Sequence, residues 1–442
     1  MKGRETLKYN LGDKVPIQES IVYAMQHVMF FVASAIVVPV VTGYIIGLNQ
    51  EEVAAFVQRT AILCGIISIL QTRFGHKYPI MEGPAALWTG LFILLASSAT
   101  SLQELSVMRT DLELGIIIAG VFVLVLVVFN VIGKMVKLFN PLINGTIIIL
   151  MVLQISPNIV RGAMGLSDDN GHINYASLAV FGVTLICILI INTYCKGFIR
   201  SIATIIGLII GWVFAWVLGI TKVSSLASNG FFHWPQLFAW GMPTVNVGMI
   251  ITCVIAAFAL LSIQFASIQG AGEAVGELAT ESTIKRGFAF HSLSVILSGI
   301  FSVTPFMSYV TTGGIVRMTG VAARGPFYLA SAFMLVIGFI KPIGLFFANI
   351  PHPVGYAAVL VAFAMIFGQG ISEYQKVDFT NRECLVAGMS ILIGVGIICL
   401  PRSVFENINP VAASILSNGL ICGMIVAFLL EHVILRKTNI SN

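Results

Sequence analysis

The chain has 442 residues, of which 57% are hydrophobic and 10% are charged, and its mean hydropathy is +0.97. So few charged side chains cannot cover a soluble globule of this length, which excludes a soluble enzyme and predicts an all-α polytopic membrane protein. The net charge of +5 does not indicate a nucleic-acid partner, because the basic residues cluster in short loops between apolar runs, as in membrane proteins.

Fourteen apolar segments are predicted to be transmembrane, because a helix needs about 20 apolar residues to cross the hydrocarbon core. Residues 1–14 are polar, so no cleavable signal peptide is expected before the first segment. In chain order the segments cover approximately residues 17–46, 52–72, 78–98, 113–133, 141–157, 175–194, 201–221, 244–268, 287–303, 305–323, 327–348, 353–371, 384–400 and 410–434.

The orientation follows from the positions of the basic residues. If both termini are cytoplasmic, eighteen of the 24 Lys and Arg residues lie on the cytoplasmic side and six lie outside. Cytoplasmic loops of membrane proteins carry this excess of positive charge. The distribution therefore predicts a multi-pass protein of the cell (inner) membrane with both termini cytoplasmic.

The third and tenth segments are expected to be interrupted helices. Residues 78–90 contain two prolines and two glycines, and residues 304–314 contain one proline and two glycines. Broken backbone at membrane depth is tolerated only inside protein or beside a wet cavity. Matched interruptions in two halves indicate a transporter's substrate site, and halves of seven spans each must be inverted relative to one another.

The helices that restart after the two interruptions are expected to begin near Ala85 and near Gly313. The first turn of a helix exposes N–H groups and the positive end of its dipole. Two such ends directed into one cavity would suit a carbonyl-rich or anionic ligand.

Three titratable side chains lie deep within apolar segments. Glu82, in the third segment, either caps the broken backbone or handles substrate or a proton. His27, in the first segment, and His291, in the ninth, either pack through hydrogen bonds or relay a proton. Glu82, His27 and His291 are therefore the candidates for proton coupling.

Neutral polar groups at similar depth could read a ligand. Gln26 and Gln264 each offer donors and an acceptor, which match the edge of a planar ligand, although Gln264 could instead form a helix-to-helix hydrogen bond. Trp88 could stack on a flat ring or serve only in packing. The chain has no G-x-S-x-G, H-E-x-x-H, P-loop or C-x-x-C pattern, so no catalytic residue, metal site or cofactor is predicted.

Several motifs match one family of transporters. The first segment carries Gln26-His27 and a run that ends in Pro39, and residues 71–84 follow a third-span signature that includes Gly83-Pro84. Residues 140–146 read Asn-Pro-Leu-Ile-Asn-Gly-Thr, as at the start of a fifth span. In these stretches the sequence resembles the nucleobase/ascorbate transporter family (nucleobase:cation symporter-2), which includes the uracil and xanthine permeases, over essentially the whole chain.

The resemblance implies a core domain, a gate domain and an inward nucleobase flux. Segments 1–4 and 8–11 would form the core (residues 1–140 and 244–350), and the remaining segments would form the gate (residues 141–243 and 351–442). Short antiparallel strands are expected in segments 3 and 10, with the substrate between core and gate. Members of the family typically import a nucleobase together with a proton, often as homodimers.

The chain departs from the family at the expected binding site. Gln264 aligns with an eighth-span glutamate, Thr311 and Thr312 replace a Gln or Glu and an Asn, and Ala85-Ala86 replaces Ser-Phe. We predict a purine or xanthine-like substrate rather than uracil. The alternative is an anion transporter or channel-like protein on the same 14-span fold, of the sulfate/anion transporter type. The predicted substrate contacts are Gln264, Thr311, Thr312, Ala86 (through its backbone), Glu82, Gln26 and Trp88.

Overall fold

The computed structural model describes residues 7–436 except for residues 98, 100, 167–171, 221–229, 310 and 406. The described chain is mostly helical, and a π-helical turn (Val32–Ile36) joins the first two helices. The elements before residue 230 are α1 (Ile17–Phe31), α2 (Val37–Ile45), α3 (Gln50–Arg73), β1 (Glu82–Pro84), α4 (Ala86–Ser97), α5 (Leu102–Val128), α6 (Ile132–Val136), α7 (Pro141–Ala163), α8 (Tyr175–Tyr194), α9 (Gly197–Ser201) and α10 (Ala203–Val217).

The remaining elements repeat the pattern of long helices around one short strand. A 3₁₀ turn (Arg402–Phe405) follows α17, and a second π-helical turn (Leu430–Ile434) ends the last helix. The elements after residue 230 are α11 (Val247–Ala274), α12 (Glu281–Ile300), β2 (Phe306–Ser308), α13 (Thr312–Thr319), α14 (Arg324–Phe339), α15 (Lys341–Ala348), α16 (His352–Tyr374), α17 (Asn381–Ile398), α18 (Pro410–Leu416) and α19 (Gly419–Leu429).

By length and apolar composition, seven of the described helices could each cross a membrane. Four further apolar segments, among them the half-helix α4, are shorter. The chain is therefore a multi-pass membrane protein. The seven helices of sufficient length are α3, α5, α7, α8, α11, α16 and α17.

Two segments that we expected to be continuous are interrupted, so the expectation that only segments 3 and 10 are broken is wrong. Segment 11 divides at Ile340 into α14 and α15, because Pro342 in the first turn of α15 cannot continue the preceding helix. Segment 14 divides into α18 and α19, where Asn418 accepts a hydrogen bond from the Ile421 N–H at 3.2 Å and caps the new helix.

Segment 4 begins eleven residues before its expected start. The side chain of Ser101 accepts a hydrogen bond from the Glu104 N–H at 3.2 Å and caps α5 at Leu102. The first turns of α5 are polar, so a count of apolar residues leaves them out.

The helices around the two strands pack reciprocally. The helix before β1, α3, packs along α14, which follows β2 and α13; the helix before β2, α12, packs along α5, which follows β1 and α4. In each of these pairs, one helix comes from the first half of the chain and the other from the second half. The helix that precedes the strand in one half packs against the helix that follows the half-helix in the other. An inverted repeat produces this exchange, and the exchange brings β1 and β2 side by side.

The backbone turns sharply just before each strand, and both turns are held in the same way. Lys77, before β1, has φ 68°, and Ser302, before β2, has φ 50°. Arg324 of α14 donates from Nε to the Lys77 carbonyl at 2.8 Å, and Arg59 of α3 donates from Nε to the Phe301 carbonyl at 2.8 Å. Each turn is therefore fixed by an arginine from the opposite half of the chain.

Six other helices form a second packed group, in which α7, α8 and α10 contact α16 and in which α17 and α19 contact each other and α7. Asn140 caps α7 by accepting from the Ile143 N–H at 2.9 Å and donates from Nδ2 to Glu431 at 2.6 Å. Glu431 also pairs with Arg382 of α17 at 2.8 Å. These contacts tie one end of α7 to α17 and to the π-helical turn after α19.

Candidate functional site

The two interrupted segments meet in a two-stranded antiparallel ribbon. Glu82 pairs with Ser308, Gly83 with Met307, and Pro84 with Phe306. The ribbon is extended at both ends, where the Tyr309 N–H donates to the Met81 carbonyl and the Ala85 N–H donates to the Pro305 carbonyl, both at 2.8 Å. The predicted antiparallel strands are confirmed, and they satisfy backbone groups that no helix could satisfy at this depth.

A half-helix leaves each end of the ribbon. α4 begins at Ala86, directly after β1, and α13 begins at Thr312, four residues after Ser308. Because the strands are antiparallel, the two helix N-termini approach the ribbon from opposite ends. The first N–H groups of a helix have no partners inside it, so the positive dipole end of each half-helix lies next to the ribbon.

Tyr309, which lies between β2 and α13, packs against β1. Its hydroxyl donates to the Pro84 carbonyl at 2.6 Å, and its ring lies directly over Gly83. A Cβ atom on Gly83 would approach Tyr309 Cζ to 2.8 Å, which is closer than packed side chains allow. The ring and the ribbon therefore fit only because residue 83 is glycine.

Glu82 lies at the centre of this region and is fully buried. Its Oε1 atom is 3.3 Å from His76 Nε2, and both side chains have no exposed surface. The Tyr78 N–H donates to His76 Nδ1 at 3.0 Å, so Nδ1 carries no proton and Nε2 is the nitrogen that donates to Glu82. His76 is therefore neutral in this arrangement, and it orients the carboxylate without balancing its charge.

Ser308 and Gln264 extend the contact of Glu82 to α11. The Ser308 N–H donates to Gln264 Oε1 at 3.0 Å, and Gln264 Nε2 donates to Ser308 Oγ at 2.7 Å. The Ser308 hydroxyl in turn donates to Glu82 Oε1. Gln264 is fully buried. Its amide joins α11 to β2 through these hydrogen bonds, which corresponds to the structural role considered in the sequence analysis as the alternative to ligand binding.

The backbone and second carboxylate oxygen of Glu82 have different surroundings. The Glu82 N–H donates to Ser68 Oγ at 3.1 Å, and the Cys64 thiol donates to the Glu82 carbonyl. Glu82 Oε2, in contrast, is buried and has no hydrogen-bond partner among the described residues. A buried charged oxygen without a partner is costly, so Oε2 is the chemically distinctive atom of the site.

Four other predicted contact residues lie at the starts of the half-helices. Thr311 is exposed and Ala86 is partly exposed, so both can be reached by a ligand. Thr312 is buried, and its hydroxyl accepts from the Met81 N–H at 3.3 Å. Trp88 is fully buried, and its Nε1–H has no partner among the described residues.

Gln26 and His27 lie away from the ribbon's hydrogen-bond chain. His27 lines a cavity between α1, α3 and α14, together with Cys64, Ser68 and Met81. The cavity volume is about 10 Å³, which is at the lower limit for one water molecule and far too small for a nucleobase. The Oε1 atom of Gln26 is buried without a partner among the described residues.

His291 is buried in α12 and interacts electrostatically with Glu82. Its Nδ1 atom has no hydrogen-bond partner within the described chain. Of the three proton-coupling candidates, Glu82 and His291 thus belong to one buried region, whereas His27 borders the small cavity behind the ribbon.

Sequence reasoning missed His76 and Ser308. His76 falls in the Gly75-His76-Lys77 stretch, which its polar neighbours made look like an ordinary loop, although a histidine six residues before a buried carboxylate was a usable signal. Ser308 could be found only from the register of the ribbon, because nothing in its local sequence distinguishes it from other small polar residues.

Comparison with known sequences gives a consistent result. The model of the Permease family, Xan_ur_permease, matches residues 18–403. The putative purine permease YwdJ of Bacillus subtilis is 30% identical over 91% of this chain and 93% of its own length. The uric acid permease PucJ of the same organism is 26% identical over 92% of this chain and 91% of its own length.

Solved structures share the fold at low identity. The transmembrane domain of the cyanobacterial bicarbonate transporter BicA matches with a TM-score of 0.61 and 14% identity, over 95% of this chain and 99% of that domain. SLC26A9 matches with a TM-score of 0.65 and 12% identity, over 94% of this chain and 66% of its own. With its family match over most of its length and its paired interruptions, the chain belongs to the xanthine/uracil permease family, the nucleobase/ascorbate transporters, whose members are permeases and not enzymes.

Proposed function

We propose that this permease is a secondary active transporter that imports a nucleobase, with a purine or xanthine-like base as substrate rather than uracil. The observation that carries the proposal is the ribbon between two half-helix N-termini, with the Glu82–Ser308–Gln264 chain at its centre. The relatives named as purine and uric acid permeases support this substrate class. Converging N–H groups match the carbonyl oxygens of an oxopurine.

The substrate would bind beside the ribbon, where the starts of α4 and α13 are accessible. Thr311 and the backbone at Ala86 supply contacts that need no rearrangement, because both residues are exposed or partly exposed. Gln264 joins them once its amide is released from Ser308. The remaining candidates belong to the proposed core, Gln26 and Trp88 to its first part and Thr312 to its second part.

We propose that fourteen spans in a seven-plus-seven inverted repeat form a core (residues 1–140 and 244–350) and a gate (residues 141–243 and 351–442). The reciprocal packing of α3 on α14 and of α5 on α12, and the separate group formed by α7, α16, α17 and α19, support this division. Core and gate meet where Ser262 Oγ donates to Asn144 Oδ1 at 2.6 Å. Movement of the core along this contact would carry the substrate across the membrane.

Glu82 is proposed as the residue that binds the co-transported proton. It is the fully buried carboxylate of the ribbon, and none of the described residues forms a hydrogen bond with Oε2. A buried carboxylate oxygen of this kind is costly, and an ionisable group at such depth is a functional candidate. The excess of Lys and Arg on one side supports cytoplasmic termini in the cell (inner) membrane, and we propose a homodimer as in the resembled family.

The second candidate function is anion transport on the same fold. It is favoured by the two opposed helix N-termini, which attract anions, and by the fold shared with a bicarbonate transporter. Identity of 14% to that protein shows the fold alone, whereas the matches to purine and uric acid permeases span nearly the whole chain. We therefore place anion transport second.

Uptake of labelled xanthine into proteoliposomes tests the proposal. Unlabelled xanthine and uric acid should compete strongly and uracil weakly, whereas sulfate and bicarbonate should have no effect. An inward proton gradient should accelerate uptake, and a protonophore should abolish that acceleration. Uptake blocked by sulfate or bicarbonate, but not by purines, would support the anion transporter instead.

A further inference from the structure

The directions of the hydrogen bonds around Ser308 are determined by chemistry. The Ser308 N–H can only donate, so the amide atom of Gln264 that it meets at 3.0 Å must be the oxygen. Gln264 Nε2 then donates to Ser308 Oγ at 2.7 Å. Since Ser308 has a single hydroxyl proton, that proton is left for Glu82 Oε1.

The same reasoning applies on the other side of Glu82. Because His76 Nδ1 accepts from the Tyr78 N–H at 3.0 Å, His76 Nε2 donates to Glu82 Oε1. Oε1 thus accepts two hydrogen bonds, while the buried Oε2 accepts none from the described residues. A proton can therefore bind at Oε2 without displacing either donor, and Oε2 is the atom at which Glu82 would be protonated.

Other titratable groups face Glu82 from three sides. Cys64 comes from α3, His291 from α12, and Tyr309 from the residue after β2, and each interacts electrostatically with Glu82. Among the described residues, the neutral His76 contacts Glu82, and no lysine or arginine forms an ion pair with it. No permanent positive charge therefore fixes Glu82 in its ionised form.

We infer that Ser308 is a positioning residue that transmits the protonation state of Glu82 to Gln264. While Glu82 is ionised, its charge strengthens the bond from Ser308, because hydrogen bonds to charged groups are roughly twice as strong as neutral ones. The oriented Ser308 hydroxyl then holds the Gln264 amide. When a proton binds at Oε2, Oε1 becomes a neutral carbonyl oxygen, the bond weakens, and the amide becomes available to the substrate.

This relay rests on the proposed function for its ligand, but its hydrogen-bond chain exists without one. It gives the order of events on the outer side: the proton binds first, and the nucleobase binds next with Gln264 as an added contact. It also gives the Gln264 site a way to respond to protons, although glutamine itself does not titrate. In this relay the Ser308 hydroxyl links the proton site to the Gln264 amide, so its removal separates the binding of the two ligands.

The test is the pH dependence of xanthine binding by the full chain in lipid nanodiscs. In the wild type, affinity should rise at least about fivefold from alkaline to acidic pH, which is the lower end of typical coupling between two sites. Ser308→Ala should bind xanthine with nearly constant affinity across the same range. Ser308→Thr, which keeps the hydroxyl, should restore the dependence; a Ser308→Ala variant with the wild-type pH dependence would overturn the relay.

A ligand-free measurement separates failure of the relay from failure of the proposed function. If the wild type binds no purine, the proposed function fails, and the relay is judged by hydrogen–deuterium exchange of the segment that contains Ser308. At alkaline pH, Glu82→Gln should exchange faster than the wild type there, because a neutral partner loosens Ser308 and the Gln264 amide that holds its N–H. Equal exchange in the two proteins would overturn the relay, including when Ser308→Ala does not fold.

Discussion

Glu82 and Ser308 are 226 residues apart in the sequence, yet they pair in the same rung of the ribbon, and the Ser308 hydroxyl donates to Glu82 Oε1. Each residue belongs to a different half of the chain and precedes a different half-helix. The contact therefore joins the two halves at the point where both helix N-termini converge.

The first prediction concerns proton coupling. Glu82→Gln should retain xanthine uptake down a concentration gradient but lose the acceleration caused by an inward proton gradient, because a glutamine cannot bind and release a proton. The measurement is initial uptake into proteoliposomes with and without the gradient. Glu51→Gln, at the exposed start of α3, is the matched control and should keep the full acceleration.

If Glu82→Gln responded to the proton gradient as strongly as the wild type, proton coupling would have to reside elsewhere. His291, which lies in the same buried region, would then be the next residue to substitute.

The interruptions of segments 3 and 10 could be predicted from the sequence, because they are caused by residues within those segments. Proline and glycine prevent a continuous helix, so residues 78–90 and 304–314 could be identified without the structure. The breaks at Ile340 and before Asn418 depend on equally local signals, Pro342 and the capping side chain of Asn418, but they lie within long apolar runs. Counting apolar residues conceals such breaks.

The partners of the site residues could not be predicted, because they depend on register between distant segments. Glu82 and Gln264 were identified from their depth in apolar runs, since a buried polar group needs a partner. Which partner each one finds is set by the pairing of β1 with β2 and by the position of α11 beside β2. For this reason Ser308 was missed as the partner of both Glu82 and Gln264. His76 was missed for a different reason, since it lies only six residues before Glu82 in a stretch that resembles an ordinary loop.

The second prediction concerns the contact between Gly83 and Tyr309. Gly83→Ala should destabilise the ribbon by about 1–3 kcal/mol, the usual cost of overpacking, because the added Cβ would lie 2.8 Å from Tyr309 Cζ. The variant should show a lower thermal midpoint and little uptake. Gly182→Ala in α8, where a Cβ meets nothing within 4 Å, should behave as the wild type in both measurements.

The sharper version of this test removes the obstructing ring. If the clash is the cause, Tyr309→Ala combined with Gly83→Ala should regain part of the lost thermal stability. If the losses of thermal stability in Gly83→Ala and in Tyr309→Ala simply add up in the double variant, the two residues act independently and the clash is not the cause.

The third prediction concerns the turn before β2. Arg59 is buried and donates from Nε to the Phe301 carbonyl at 2.8 Å. Arg59→Gln should leave this partly buried carbonyl without its partner, at a cost of about 1–3 kcal/mol, and should lower the thermal midpoint. Arg286→Gln, at an exposed position of α12, should have no comparable effect; equal midpoints for the two variants would contradict the prediction.

The fourth prediction uses two glycines to separate stability from movement. A Cβ on Gly65 would lie 2.6 Å from the Ser331 carbonyl oxygen of α14, and a Cβ on Gly90 would lie 2.6 Å from Ile155 Cδ1 of α7. The first obstacle is backbone and cannot rotate away, whereas the second is the end of a flexible side chain. Gly65→Ala should therefore lower the thermal midpoint strongly, and Gly90→Ala should leave it near the wild-type value.

Uptake should show a different effect for Gly90→Ala. Gly90 lies on α4 of the proposed core and faces α7 of the proposed gate, so added bulk there opposes movement of one against the other. We expect a several-fold lower initial rate of xanthine uptake with nearly unchanged xanthine affinity, since the residue faces Ile155 and not the ribbon. A wild-type rate in a protein of wild-type stability would mean that α4 and α7 move together, and the boundary between core and gate would then lie beyond α7.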